Sequence, residues 1–69
     1  MHIRAIVGLN VLRIRREQQL SQEQLSLRTK LTRAYLSGIE AGTRNPTVDV
    51  LARLAAALDV GVEDLVKAP

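Results

Sequence analysis

The stretch Leu20–Pro46, LSQEQLSLRTKLTRAYLSGIEAGTRNP, limits this chain most tightly. It carries the start and stop signals of two helices with almost no chain between them. Ser21 is a good N-cap, because its hydroxyl can accept a bond from an otherwise unpaired backbone N–H. Gln24 stands three residues on, where its side chain can reach back and complete a capping box. Leu25 supplies the inward face of a helix from about Gln22 to Arg28. Thr32 offers a second N-cap, and Leu36 and Ile39 repeat at the i, i+3 spacing of a buried stripe over a helix of about 33–41. Gly42 suits a left-handed cap, and Pro46 prevents the helix from resuming. Two helices with so short a link cannot run straight on. They must cross, which is helix-turn-helix geometry. An arginine, Arg33, opens the second of them, and the expected use of such a unit is reading double-stranded DNA.

Composition removes the alternatives. The 69 residues make one small domain, expected over 1–69 with the helix-turn-helix at about 20–46. A chain of this size buries only about 60% of the surface it exposes when unfolded, so its stability should be modest unless it oligomerises. There is no cysteine, hence no disulfide framework or thiolate chemistry, and the only histidine is His2. A metal site or catalytic triad has almost nothing to be built from, no cofactor is implied, and no small-molecule effector is evident. Glu63 and Asp64 read as first-turn partners of a helix dipole rather than as a catalytic pair. Phe and Trp are absent and Tyr35 is the sole aromatic. The core must be Leu, Ile, Val and Ala, which suits a helical bundle. The scarcity of aromatics also argues against single-strand or RNA binding by base stacking.

The apolar run Ala5–Leu9 is shorter than a signal-peptide core of about 7–15 residues. No stretch reaches the roughly 20 apolar residues of a membrane span. A soluble, cytoplasmic protein with no membrane partner is expected. A basic amphipathic first helix also fits a membrane-surface segment, but Val7, Val11 and Ile14 repeat as a core stripe does. Charge is uneven. Residues 1–45 hold eight cations against three carboxylates, a balance of +5, and residues 46–69 hold two against four, a balance of −2. Concentrated positive charge around a candidate recognition helix is the footprint of phosphate binding, although a merely solvated basic surface has the same composition.

The whole chain predicts an all-α fold, a compact bundle of five helices. The first covers about Ala5 to Gln19, the second and third are those above, and the fourth follows Thr47 as N-cap, with Asp49 in its first turn. The fourth carries Val50, Leu51, Leu54, Ala55 and Leu58, and Asp59-Val60-Gly61 breaks it. A short fifth helix covers about Val62–Val66.

In that order and spacing the chain resembles the Cro/repressor-like helix-turn-helix family of bacterial and phage regulators. The resemblance rests on Val7-Gly8 through Arg15, Leu20-Ser21-Gln22 with Leu25, Tyr35-Leu36-Ser37-Gly38-Ile39-Glu40, Gly42 with Arg44-Asn45-Pro46, and Leu51 through Val60. Tyr-Leu-Ser-Gly-Ile-Glu followed by Arg-Asn-Pro is most similar to the short controller proteins of restriction–modification systems. The resemblance implies a lambda-repressor-like DNA-binding domain that acts as a homodimer on a pseudo-palindromic operator, without chemistry, at the nucleoid.

Roles for single residues follow from the resemblance. Arg33, Ala34, Ser37 and Gly38 match groove-facing positions of the recognition helix. Arg33 is the expected base reader, since a guanidinium can bond guanine O6 and N7 together. Ala34 can pack on a thymine methyl, Ser37 can bond a base or a phosphate, and Gly38 would permit close approach. Gln22, Thr32, Tyr35, Thr43, Arg44 and Asn45 match phosphate-contacting positions, with backbone amides of the Gly42–Asn45 loop joining the clamp. Half-buried packing is an equal reading for Tyr35. Arg15 and Glu40 match a structural salt bridge between the first and third helices. Val60, Val62, Leu65 and Val66 are the candidates for a dimer surface, with intramolecular core as the competing role.

The chain also departs from the pattern. Lys30 and Gln19 stand where glycine is common, Ser26 replaces an alanine at the helix crossing, and Leu12 replaces a charged residue. Leu9 and Leu12 are therefore candidates for exposed apolar contact. The other class of function open to this fold is a protein-interaction module, antitoxin-like or bridging. Salt separates the two, because DNA binding weakens steeply with ionic strength and an apolar interface does not.

Overall fold

A computed structural model describes residues 2–68; Met1 and Pro69, the two ends of the expected domain, lie outside the described residues. Five helices follow one another: α1 Ile3–Glu17, α2 Gln22–Thr29, α3 Arg33–Glu40, α4 Val48–Leu58 and α5 Glu63–Val66. The described residues contain no strand. The three caps read from sequence are all made. Ser21 Oγ accepts from Gln24 N at 3.0 Å while Gln24 Oε1 accepts from Ser21 N at 2.8 Å. Thr32 Oγ1 accepts from Tyr35 N at 3.1 Å, and Thr47 Oγ1 from Val50 N at 3.2 Å.

Helix α1 starts and ends two residues before its expected bounds. Its N-cap, His2, makes no side-chain cap bond, so no residue type marks the start. Its end is set by Gln19, which takes the left-handed backbone (φ 58°) and turns its own N–H and that of Leu20 onto the carbonyls of Arg16 and Arg15. Lys30 (φ 62°) ends α2 in the same way and Asp59 (φ 57°) ends α4. Each is a non-glycine residue in a conformation that crowds its Cβ.

The core runs through the middle of the bundle. Val7, Val11 and Ile14 of α1 meet Leu25 of α2, Leu36 and Ile39 of α3, and Leu54, Ala55 and Leu58 of α4, with Leu20 and Leu65 closing the ends. Burial of each such leucine or isoleucine contributes roughly 1.5–3 kcal/mol. Helix α1 crosses α3 at Gly8, where a Cβ would stand 2.3 Å from the Ile39 carbonyl oxygen; only glycine allows that approach. Leu9 is exposed, whereas Leu12 is half-buried rather than open to solvent.

The turn between α2 and α3 is held by polar bonds. Thr29 Oγ1, buried, donates to Leu25 O at 2.8 Å and accepts from Leu31 N at 3.2 Å. Ser26 Oγ donates to the Leu31 carbonyl, a bond an alanine there would lack. Arg53 of α4 donates to the Thr29 carbonyl. The short α5 is fastened to α1 by Asn10, which is 1% exposed; its Nδ2 donates to the carbonyls of Leu65 (3.0 Å) and Lys67 (2.9 Å). Leu65 itself is fully buried. That corrects its place among the dimer-surface candidates, since its side chain is spent on the core and offers nothing to a partner.

Candidate nucleic-acid interface

Helix α3 turns Leu36 and Ile39 inward, so geometry alone decides what its other side presents. Positions 33, 34, 37 and 38 fall on one arc of about 140° at 100° per residue, opposite the buried pair. Arg33, Ala34 and Ser37 are exposed on that arc. Arg33 has no ion-pair partner among the described residues. Tyr35, just beyond the arc, is half-buried and packs against the core. The end of α3 is closed by paired bonds, Thr43 N to Gly38 O at 2.9 Å and Gly42 N to Ile39 O at 3.0 Å, with Gly42 at φ 77°. This is a Schellman motif.

That motif takes three of the four loop amides out of the expected phosphate clamp. The amides of Gly42, Thr43 and Arg44 all point back to α3 carbonyls, and the Thr43 hydroxyl donates to Gly38 O at 3.1 Å. These amides are already used, and the Thr43 hydroxyl reaches a phosphate only by giving up its bond to Gly38 O. The exposed polar side chains left at this end are Arg44 and Asn45. The Arg44 guanidinium carbon lies 5.7 Å from the centre of the Tyr35 ring.

The angle of α3 is fixed from its C-terminal end. Glu40, with a side chain 6% exposed, receives Arg15 Nε at 2.6 Å and Arg15 Nη2 at 3.1 Å. Arg15 Nη1 donates to Leu20 O at 2.7 Å. The bond to Glu40 holds the Arg15 pKa above its ordinary value despite partial burial. Gln22 joins the group, its Nε2 donating to Glu40 Oε1 at 2.8 Å. Nothing along the sequence marks this bond, since its partners are 18 residues apart. One amide N–H of Gln22 is therefore structural and ties the start of α2 to the end of α3; its second N–H has no part in it. Thr32 keeps a hydroxyl proton, since its cap bond uses only the oxygen.

Much of the positive charge is structural too. Arg15 serves Glu40, Arg13 pairs with Glu17 at 3.2 Å, and Arg28 and Arg53 donate to helix-end carbonyls of Ala57 and Thr29. Arg33 and Arg44 are the cations that flank the exposed face of α3. Among the described residues there is no group of His, Cys, Asp and Glu able to hold a metal, and no helix long and apolar enough to cross a membrane.

Two crossed helices with tight polar bracing, the second with an exposed, arginine-led face, define a helix-turn-helix protein. The chain belongs to the HTH_3 helix-turn-helix family, whose pattern it matches over residues 11–65. It is 47% identical to the uncharacterized HTH-type transcriptional regulator y4dJ of Sinorhizobium fredii, over 96% of this chain and 86% of that one. Its fold matches the crystal structure of the restriction–modification controller protein C.AhdI from Aeromonas hydrophila with a TM-score of 0.86 and 34% identity, covering 90% and 94% of the two chains. It also matches the controller protein C.Esp1396I, solved as a tetramer with its natural 35 base-pair operator, with a TM-score of 0.82 and 28% identity over 97% and 99%. The chain is thus a DNA-binding regulator of transcription by family, not an enzyme.

Proposed function

We propose that this chain is a sequence-specific regulator that binds a pseudo-palindromic operator as a homodimer, with α3 of each copy in the major groove. One observation carries the reading. The face formed by Arg33, Ala34 and Ser37 is exposed on a helix whose position is fixed by the nearly buried Arg15–Glu40 pair. Arg33 reads a guanine, Ala34 and Ser37 contact neighbouring bases, and Gln22, Thr32, Tyr35, Arg44 and Asn45 bond phosphates on either side. Similarity to stand-alone controller proteins supports a regulator that acts through occupancy of DNA at the nucleoid, with no effector. The homodimer uses the rim of α5. Val62 and Val66 are each 36% exposed and Val60 is half-buried beside them, which leaves apolar surface for a second copy.

Selection from a random double-stranded DNA pool at near-physiological salt tests this. The expected result is one symmetric motif with half-sites about 34–36 Å apart, and a Kd that weakens with salt at a log–log slope of roughly −0.9 per phosphate neutralised. A folded protein that enriches no motif overturns it and favours the interaction-module reading.

A further inference from the structure

Gly38 sits inside α3, where alanine is the better helix former. The helix itself leaves room for a side chain there, but a neighbour does not. A Cβ on Gly38 would stand 2.6 Å from Arg44 Cγ, 3.2 Å from Arg44 Nε and 3.3 Å from Thr43 Oγ1. The volume that glycine leaves open is filled by the arginine. The Gly38 carbonyl also accepts the Thr43 amide, the Thr43 hydroxyl and, at 3.3 Å, the Arg44 amide. One residue therefore holds the Arg44 backbone with its oxygen and seats the Arg44 side chain with its missing carbon. Beyond the seat lies Tyr35, with the guanidinium over its ring.

We propose that Gly38 is a positioning residue for DNA binding that acts through Arg44. The notch at Gly38 lays the Arg44 side chain along α3, and the Tyr35 ring receives its guanidinium, so that a pre-held cation stands at the flank of the reading face to meet a backbone phosphate. This rests on the DNA-binding reading above. The placement favours phosphate over base, because positions 35 and 38 lie at and beyond the edge of the arc that begins with Arg33. Holding the arginine in advance matters because a free, rotamer-rich side chain must be immobilised on binding. A guanidinium held over a ring by cation–π attraction makes no hydrogen bond with it and keeps its N–H groups for phosphate oxygens. A rival role for Gly38, close approach of the DNA itself, makes a different prediction.

The test is a double-mutant cycle on the DNA motif that the wild-type protein selects, with Gly38→Ala, Arg44→Ala and the double variant, each checked for fold by circular dichroism. Gly38→Ala and Arg44→Ala should each weaken binding about tenfold per copy, the contribution of one charge-assisted hydrogen bond, and so about a hundredfold for the homodimer. Arg44→Ala should lower the salt slope by about 1.8, about 0.9 for each copy. The double variant should bind no worse than Arg44→Ala. An equal loss from Gly38→Ala on the Arg44→Ala background overturns the proposal in favour of close approach, and an unchanged Kd for Gly38→Ala overturns both roles. A second arm needs no DNA: ring current from Tyr35 should shift the Arg44 Hδ resonances upfield in the free protein. The shift should vanish in Gly38→Ala and Tyr35→Leu; its absence from the wild type overturns the seat. If the wild type selects no motif, the DNA-binding reading itself fails, an outcome separate from any pattern among the variants.

Discussion

Arg15 and Glu40, twenty-five residues apart, meet in a two-point ion pair with side chains only 11% and 6% exposed. The pair joins the last turn of α1 to the last turn of α3 at a site where water reaches neither charge well. Removing one partner strands the other. Arg15→Ala or Glu40→Ala should each cost roughly 3 kcal/mol, whereas Arg15→Met combined with Glu40→Leu should cost less than either single change. Urea denaturation of the three variants checks this, and a double variant that loses more than either single change would show that no stranded charge is responsible. The bond to Glu40 raises the Arg15 pKa, so on the arginine side the contribution is fully present below the unfolded value and is lost only as pH rises through the higher folded one.

Arg33 is exposed and braces nothing, so its loss should leave the fold intact. Arg33→Ala should keep the wild-type Tm and its affinity for nonspecific DNA. Discrimination for the selected motif should fall by roughly 1–3 kcal/mol at one base pair of each half-site. Competition binding against single-base variants of the motif measures it. Undiminished discrimination would place the reading face elsewhere on α3.

Asn10 is the fastening of α5, and its two bonds both require an N–H donor. Asn10→Ala should lower stability by roughly 2 kcal/mol by leaving carbonyl oxygens unpaired. Asn10→Asp should be worse, since it sets a charge against those oxygens with no hydrogen to offer. Thermal unfolding ranks the two. If the dimer forms on the rim of α5, sedimentation should also show Asn10→Ala dissociating at higher concentration than the wild type.

Asp64 accepts the Gly61 amide at 3.1 Å and pairs with Lys67 at 3.2 Å. The Gly61 bond first, and Lys67 second, hold its pKa below the ordinary 3.8. A depressed folded value means that the stabilisation is present above the unfolded pKa and is lost as pH falls through the folded one. The start of α5 should therefore loosen only in acid below that range. The Gly61 amide resonance should titrate there in the wild type and should not in Asp64→Asn.

The sequence exposes what depends on neighbours along the chain and hides what depends on distant ones. Ser21, Gln24, Thr32 and Thr47 cap their helices by bonds three residues long, and all four were readable. The start of α1 was not, because His2 leaves no cap signal. Asn10 is a lone amide between apolar residues of α1, and no neighbour along the chain marks its role. Its partners lie 55 and 57 residues away as backbone carbonyls, which carry no side-chain identity to read. Gln22 matches a phosphate-contacting position by its place in the helix-turn-helix, and its bond to Glu40 exists only in three dimensions. The loop after α3 was expected to offer amides outward; Gly42 signalled the cap, and the cap is what turns those amides inward. Leu65 and Val66 are adjacent and equally apolar, and only the docking of α5 on α1 separates a core residue from a surface one.

The left-handed ends of α1 and α2 bear on how this chain can change over time. Gln19 and Lys30 hold a backbone that glycine would adopt without crowding, a relief of roughly 1 kcal/mol at each site. Neither residue belongs to α3. A lineage moving to a warmer host therefore has slack to draw on that leaves its operator vocabulary untouched. Substitutions at these two helix ends can therefore change stability without touching the face that α3 presents.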